Sequence, residues 1–295
     1  MAWVPRKTKA ERFGFIAEFG RDLGIRYLCK LLCVSPQGFY QWRDRGLSKR
    51  AKGTQELLGK ITRIFDESGT TYGSPRVHEQ LLKEGVKVSR GRVERLMRKA
   101  CLVGKAARVY RRKALPKVPF HSLPNLRLDI PEPDGVDQQW AGDVTYLKVD
   151  KKWHYLAVVM DLYSRRVIGW RLGKHRTAEL TREALRQALS HRKVSKGTIF
   201  HTDRGAEYGA WLLRNELKKH GMLSSMNRAE SVTDNAHMES FFRSLKTEKT
   251  KGVEFKTEHE LRMALGSYID DFYNVKRLHS SLGFKTPMEY ERMVA

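Results

Sequence analysis

Three alternating apolar stretches, 140–149, 153–161 and 165–172, lie so close together in this 295-residue chain that only tight turns can join them. Strands this near in sequence pair antiparallel as a meander, so the second half of the molecule is built on a sheet. A helix over 177–191 follows, then a strand over 197–202, a helix from Tyr208 to His220, a short strand over 222–227, and helices over 236–248 and 257–274. The fold class is therefore α/β: a mixed five-stranded sheet flanked by helices.

Three acids stand at telling places in this pattern. Asp143 lies inside the first strand, in Trp140-Ala141-Gly142-Asp143-Val144-Thr145-Tyr146. Asp203 closes the fourth, after Thr198-Ile199-Phe200-His201-Thr202 and before Arg204-Gly205. Glu239 sits in the helix Ala236-His237-Met238-Glu239-Ser240-Phe241-Phe242, introduced by the turn-prone pair Asp234-Asn235. Any one of them alone reads as an ordinary surface acid. Two strands and a helix converging on one point would cluster three carboxylates, the donor set that a hard cation such as Mg²⁺ takes together with water and substrate phosphates. Two such ions stabilise both the attacking and the leaving oxygen of an in-line phosphoryl transfer.

Charge narrows the substrate. Lys and Arg number 57 against 33 Asp and Glu, a net +24, and the excess is uneven: residues 1–120 hold 28 basic and 10 acidic side chains, residues 121–295 hold 29 and 23. A polyanion is the natural partner, with the first part of the chain as its main electrostatic handle. A solvated basic face and a ribosome-associated protein share that composition. No apolar run approaches the roughly 18 residues of a membrane span, and no signal-peptide core opens the chain. Three cysteines, Cys29, Cys33 and Cys101, make no disulfide framework, which points to a reducing cytoplasm. Cys29 and Cys33 at i,i+4 on a helix read as core residues rather than zinc ligands.

Residues 1–50 have the punctuation of a helix-turn-helix: helices over 11–20 and from Leu23 to Leu32, then Ser35-Pro36 capping a third. A small helical bundle is the plainer reading. Residues 51–102 repeat the plan, with a helix from Gln55 to Glu67, a second cap-then-proline at Ser74-Pro75, and a helix capped by Ser89. That last helix carries Arg90, Arg92, Arg95, Arg98 and Lys99 around an apolar stripe of Val93, Leu96 and Met97, which makes it the best candidate for groove or backbone contact. Residues 103–135 form a basic, proline-broken linker, in which Arg111, Arg112 and Lys113 either lie along DNA or belong to a plain spacer. Residues 136–295 hold the sheet and the C-terminal helices.

The stretch 137–291 resembles the RNase H-like catalytic domain of bacterial insertion-sequence transposases and retroviral integrases, the DDE superfamily. The likeness rests on the motifs around Asp143 and Glu239, on His201-Thr202-Asp203-Arg204-Gly205-Ala206-Glu207-Tyr208, and on Tyr273-Asn274-Val275-Lys276-Arg277-Leu278-His279-Ser280-Ser281-Leu282-Gly283 with Thr286-Pro287. Val34-Ser35-Pro36-Gln37-Gly38-Phe39-Tyr40 and Tyr72-Gly73-Ser74-Pro75-Arg76 are similar to the leading segments of the group whose transposase is made from two overlapping reading frames. The His-His-Cys-Cys zinc module of retroviral integrases is missing, which favours the bacterial branch.

The resemblance implies that Asp143, Asp203 and Glu239 bind two Mg²⁺ or Mn²⁺ ions. It also implies that Lys246, seven residues beyond Glu239, holds transposon-end DNA, and Arg243 on the same helix joins it as a candidate contact. His201, Asn235 and His237 flank the acids, either orienting a carboxylate, touching DNA or filling structural roles. The implied reaction is hydrolysis of one phosphodiester to free a 3′-OH, followed by attack of that hydroxyl on another. The implied partners are double-stranded DNA (terminal inverted repeats and target), a second copy of the chain in a dimer or larger multimer, and the product of an upstream reading frame. A bacterial, nucleoid-associated cytoplasmic protein is expected. An RNase H-like nuclease without strand transfer and a DNA-binding regulator are the competing functions.

Overall fold

Caps and turns set the limits of the first helices. The structure, a computed structural model, describes residues 8–45, 48–105, 123–128, 130–228 and 232–293. Contacts divide the chain into two units, Met1–Ile61 and Thr62–Ala295. In the first, α1 (Lys9–Leu23) opens on a capping box: the Thr8 amide donates to the Glu11 carboxylate at 2.7 Å and the Glu11 amide donates to the Thr8 hydroxyl at 3.3 Å. Helix α2 (Ile25–Leu31) follows, and Ser35 caps α3 (Pro36–Asp44) by accepting from the Gly38 amide at 3.0 Å. Phe13, Ile16, Leu28, Cys29, Leu32 and Phe39 form the core of these three helices. Cys33 departs from the expected core role. It lies beyond the end of α2 at φ 51°, in the turn towards α3, and is exposed, so only Cys29 is buried.

Helix α4 (Lys49–Glu67) runs across the unit boundary. In the second unit α5 (Ser74–Lys83) and α6 (Arg90–Lys99) pack through Val77, Leu81, Val93 and Met97. The expected cap at Ser74 is not made. Gly73 occupies the capping position, Ser74 is already helical, and Ser89 caps α6 without a side-chain bond.

The sheet comprises β1 (Gln139–Val149), β2 (Lys152–Asp161) and β3 (Val167–Gly173), then, after α7 (Ala178–His191), β4 (Ile199–Thr202). Beyond α8 (Ala206–Gly209) and α9 (Trp211–Lys219) comes β5 (Leu223–Met226), followed by α10 (Ala236–Leu245), α11 (Glu258–Gly266) and α12 (Pro287–Glu291). Strand order is β3-β2-β1-β4-β5, antiparallel among the first three and parallel at β1–β4 and β4–β5. Three expected helices are interrupted. The 208–220 helix breaks at Ala210, whose ψ of 141° is extended; the 236–248 and 257–274 helices pass into π-helical turns at Lys246–Thr250 and Ser267–Tyr273.

Alternation along β1 sorts side chains between two cores. Ala141, Leu147 and Val149 face α10 and α11 through Met238, Phe241, Phe242, Leu245, Leu261 and Leu265. Trp140, beside Phe200 of β4, faces α7 and α9 through Leu185, Leu213 and Leu217. The edges of the sheet are occupied. Val167 of β3 exchanges bonds with the Asn274 side chain at 3.0 and 2.9 Å, the Trp170 amide donates to the Gln187 side chain at 2.8 Å, and at β5 the Met226 amide donates to the Pro124 carbonyl at 3.2 Å. Among the described residues no helix is long and apolar enough to cross a membrane.

Helix α7 lies directly on β3 at Gly169, where a Cβ would stand 2.8 Å from the Ala188 nitrogen and would overlap the Ala184 carbonyl. Both are backbone atoms and cannot rotate away. Gly169→Ala is expected to destabilise the protein by about 3 kcal/mol, the upper end of an overpacked core site, read as a lowered urea midpoint at unchanged slope.

Candidate active site

Pairing between β1 and β4 ends at Gly142–Thr202, so Asp143 and Asp203 are the next residues on two adjacent parallel chains. Gly142 permits the close approach, since a Cβ there would lie 2.6 Å from the Phe200 ring. By alternation from Ala141, Asp143 projects on the α10 side of the sheet. Each aspartate is also turned by its own backbone: Asp143 accepts from the Val144 amide at 2.7 Å and Asp203 from the Gly205 amide at 2.9 Å.

Glu239 comes from the first turn of α10, where the helix dipole favours a carboxylate. Its neighbours on one stripe of the helix are Asn235 and Lys246, and both reach β1. The Asn235 side chain donates to the Gly142 carbonyl at 3.4 Å, and the Lys246 ammonium lies 4.5 Å from the centre of the Tyr146 ring. From Asn235 to Glu239 is a rise of roughly 6 Å. The same advance along β1 from Gly142 reaches residues 143–144, at roughly 3.3 Å each. Glu239 is thus carried over the Asp143 stretch.

Asp143 and Asp203 suit an ion that takes one or two carboxylates and completes its shell with water and phosphate. Among the described residues no three His, Cys, Asp or Glu side chains stand close enough together to hold a metal ion, so Asp143, Asp203 and Glu239 do not form a closed three-carboxylate cage in this structure.

A ring of residues that sequence reasoning missed surrounds Asp203. Arg176 donates from Nε and Nη2 to the buried Glu207 at 2.6 Å, and its Nη2 also lies 3.6 Å from Asp203. Tyr208 is buried; that burial, reinforced by the negative charges of Asp143, Asp203 and Glu207, pushes its hydroxyl well above the usual range. Both aspartates therefore lie within electrostatic reach of one phenol. Glu207 and Tyr208 stood in the motif after Asp203, whereas Arg176 belongs to no motif.

The flanking residues divide. His201 is a buried structural histidine held between the Ser225 hydroxyl at 2.9 Å and the Asn227 side chain at 2.7 Å, and burial aided by Arg127 lowers its pKa to about 4. His237 is lowered to about 4 by burial and by Arg165 and Arg127. Arg243 is exposed on α10, and Arg90, Arg92, Arg95, Arg98 and Lys99 are exposed on α6, with Arg98 paired to Glu94 at 3.3 Å. Arg111, Arg112 and Lys113 lie outside the described residues.

A mixed sheet with one acid inside its first strand and another just past its fourth, side by side where the pairing of those strands stops, a third on the covering helix, and helical segments ahead of it defines an integrase-type catalytic core joined to a DNA-binding region. Family comparison agrees: the Integrase core domain matches residues 133–231 and 239–294, and an HTH-like domain matches 52–113. The chain is 35% identical to the transposase InsF for insertion sequence IS3A of Escherichia coli (strain K12), over 95% of this chain and 98% of that one. It is 32% identical to the insertion element IS600 uncharacterized 31 kDa protein of Shigella sonnei, over 91% and 100%. Among solved structures, the simian T-cell lymphotropic virus intasome in complex with PP2A regulatory subunit B56 gamma aligns at 16% identity and TM-score 0.46, over 78% of this chain and 74% of that one. The HTLV-2 integrase catalytic core domain in complex with magnesium aligns at 19% and 0.40, over 54% and 98%. The chain belongs to the IS3 family of insertion-sequence transposases, within the DDE superfamily.

Two outcomes follow from the site's surroundings. Arg176→Gln strips Glu207 of its cation and is expected to cost about 2 kcal/mol of stability, measured by urea unfolding. His201, His237 and His279, the last lowered to about 3 by burial and Arg277, stay neutral in the fold while the unfolded chain protonates near 6.5. The unfolded state therefore binds more protons in that interval, and stability should fall as pH drops from about 6.5 towards 4, seen as a declining thermal midpoint.

Proposed function

We propose that this transposase cuts DNA at the ends of its element and joins the freed 3′-OH to a second phosphodiester, with Asp143, Asp203 and Glu239 as its metal-binding carboxylates. The observation that carries this reading is the end of the β1–β4 pairing, which sets two aspartates side by side under the helix that bears Glu239. Magnesium or manganese, two ions in this reading, would lower the pKa of an attacking water or hydroxyl and offset charge on the phosphate.

The chain's own residues do the rest. Asp143 and Asp203, each turned by a backbone amide, are the two carboxylates beside the point where the β1–β4 pairing stops. Arg176 neutralises part of the acidic charge beside Asp203, and Lys246 supplies a cation for a DNA phosphate two turns from Glu239. The exposed arginines of α6, with Lys99 and Arg243, would contact the DNA backbone, and Arg111, Arg112 and Lys113 would extend that contact. Two DNA ends held at once call for at least a dimer, and an upstream-frame product would add a further DNA-binding segment.

Asp143→Asn should retain binding to end DNA and lose at least 100-fold, on the order expected for a lost metal ligand, in Mg²⁺-dependent cleavage of a labelled duplex. Cutting at the parental rate would remove Asp143 from the site. Cleavage by the parent chain without any joined product would make it a nuclease.

A further inference from the structure

The helix that carries Glu239 is gripped at its far end by a buried ion pair. Arg277 donates from Nε and Nη2 to the two oxygens of Glu248, at 2.8 and 2.6 Å, and from Nη2 to the Ser244 hydroxyl at 3.2 Å. The Tyr268 hydroxyl donates to Glu248 at 2.8 Å, and the Arg277 and Glu248 side chains are only 6% and 5% exposed. Burial alone would weaken the guanidinium's hold on its proton, but its bonds to Glu248 outweigh that and raise its pKa. Ser244 lies on α10, five residues past Glu239, and Glu248 lies in the π-helical turn that begins at Lys246. Irregular i→i+5 turns of this kind concentrate at functional positions.

The other side of the same loop is held by the HTH-like segment. The Tyr72 hydroxyl donates to the Lys276 carbonyl at 3.0 Å and accepts from the Leu278 amide at 2.9 Å, so it spans the two residues that flank Arg277. Arg76 Nε donates to the Leu278 carbonyl at 2.9 Å, and Lys105 donates to the Glu248 carbonyl at 3.2 Å. Tyr72 and Arg76 lie at the start of α5, just ahead of α6 and its arginines. A continuous path of hydrogen bonds thus runs from the helical DNA-binding segment, through the 276–278 loop and the Arg277–Glu248 pair, to the helix of Glu239 and Lys246.

We propose that Tyr72, Arg277 and Glu248 are positioning residues for transposition, setting α10 against β1 according to how the HTH-like segment is seated. The inference rests on the proposed roles of Glu239 and Lys246. Deleting the Tyr72 hydroxyl leaves the Leu278 amide and the Lys276 carbonyl without this partner and frees the loop that aims Arg277. A shift of a catalytic group by about 1 Å costs up to about 100-fold in rate.

The test uses the full chain and a labelled duplex bearing the element's end, with cleavage measured in single turnover at saturating protein. Tyr72→Phe is expected to slow cleavage of bound DNA by between about 10-fold and about 100-fold while the Kd for the duplex stays within about threefold. Arg277→Lys should slow cleavage in the same way, and Lys83→Ala, which breaks only the exposed Lys83–Glu289 pair at 2.9 Å across the same contact, should not. Tyr72→Phe cutting at the parental rate, or Lys83→Ala slowing cleavage equally, would overturn the proposal. If Tyr72→Phe melts below the assay temperature, Arg76→Gln is read by the same two criteria. Failure of the parent chain to cut at all would strike the proposed function instead.

Discussion

Four residue pairs hold β4 against β1, and the arrangement of the site depends on where that pairing stops. A parallel pair needs a crossover, supplied here by β2, β3 and α7, so the two aspartates are 60 positions apart in sequence and adjacent in space. Gly142 lets the strands close up over Phe200 just before the pairing ends. Past that point β1 is paired with β2 only, and Lys246 reaches the Tyr146 ring in this stretch. The same termination that exposes the acids makes room for a cation beside them.

Charge is handled differently at the two ends of α10. Near the aspartates it is shared: Arg176 serves Glu207 closely and Asp203 at longer range, leaving carboxylate oxygens for other partners. At the far end it is sealed, because Glu248 receives Arg277 and Tyr268 within a buried cluster. Breaking one member of such a pair strands a buried charge, which is far costlier than losing an exposed pair. The helix is therefore anchored by a buried ion pair at the end that carries Lys246.

Most of the fold was legible because its signals are local. Alternation marked β1, β2 and β3, Ser35-Pro36 marked the start of α3, and turn residues marked α10. The misreadings share a cause: helix-permissive residues do not record a break imposed by packing. Nothing in Lys246–Thr250 or Ser267–Tyr273 announces a π-turn, and Ala210 is a strong helix former held extended. At Gly73-Ser74-Pro75 either of the first two residues fits a cap, and the glycine took it. The acids were visible through their motifs, whereas Arg176–Glu207 and Glu248–Arg277 join residues far apart in sequence, and no spacing rule finds them. Cys33 was misassigned because α2 ends at Leu31 and the chain turns at Cys33 itself.

The occupied sheet edges carry a consequence for how copies of this chain meet. Unpaired edge strands invite sheets to join end to end, the usual route to unplanned association. Here Asn274 and Gln187 occupy backbone groups of β3, and Pro124 meets β5 on the other side. At these positions a second copy would meet the Asn274 and Gln187 side chains on β3 and the Pro124 carbonyl on β5 in place of free backbone groups, which obstructs continuing the sheet from one molecule to the next.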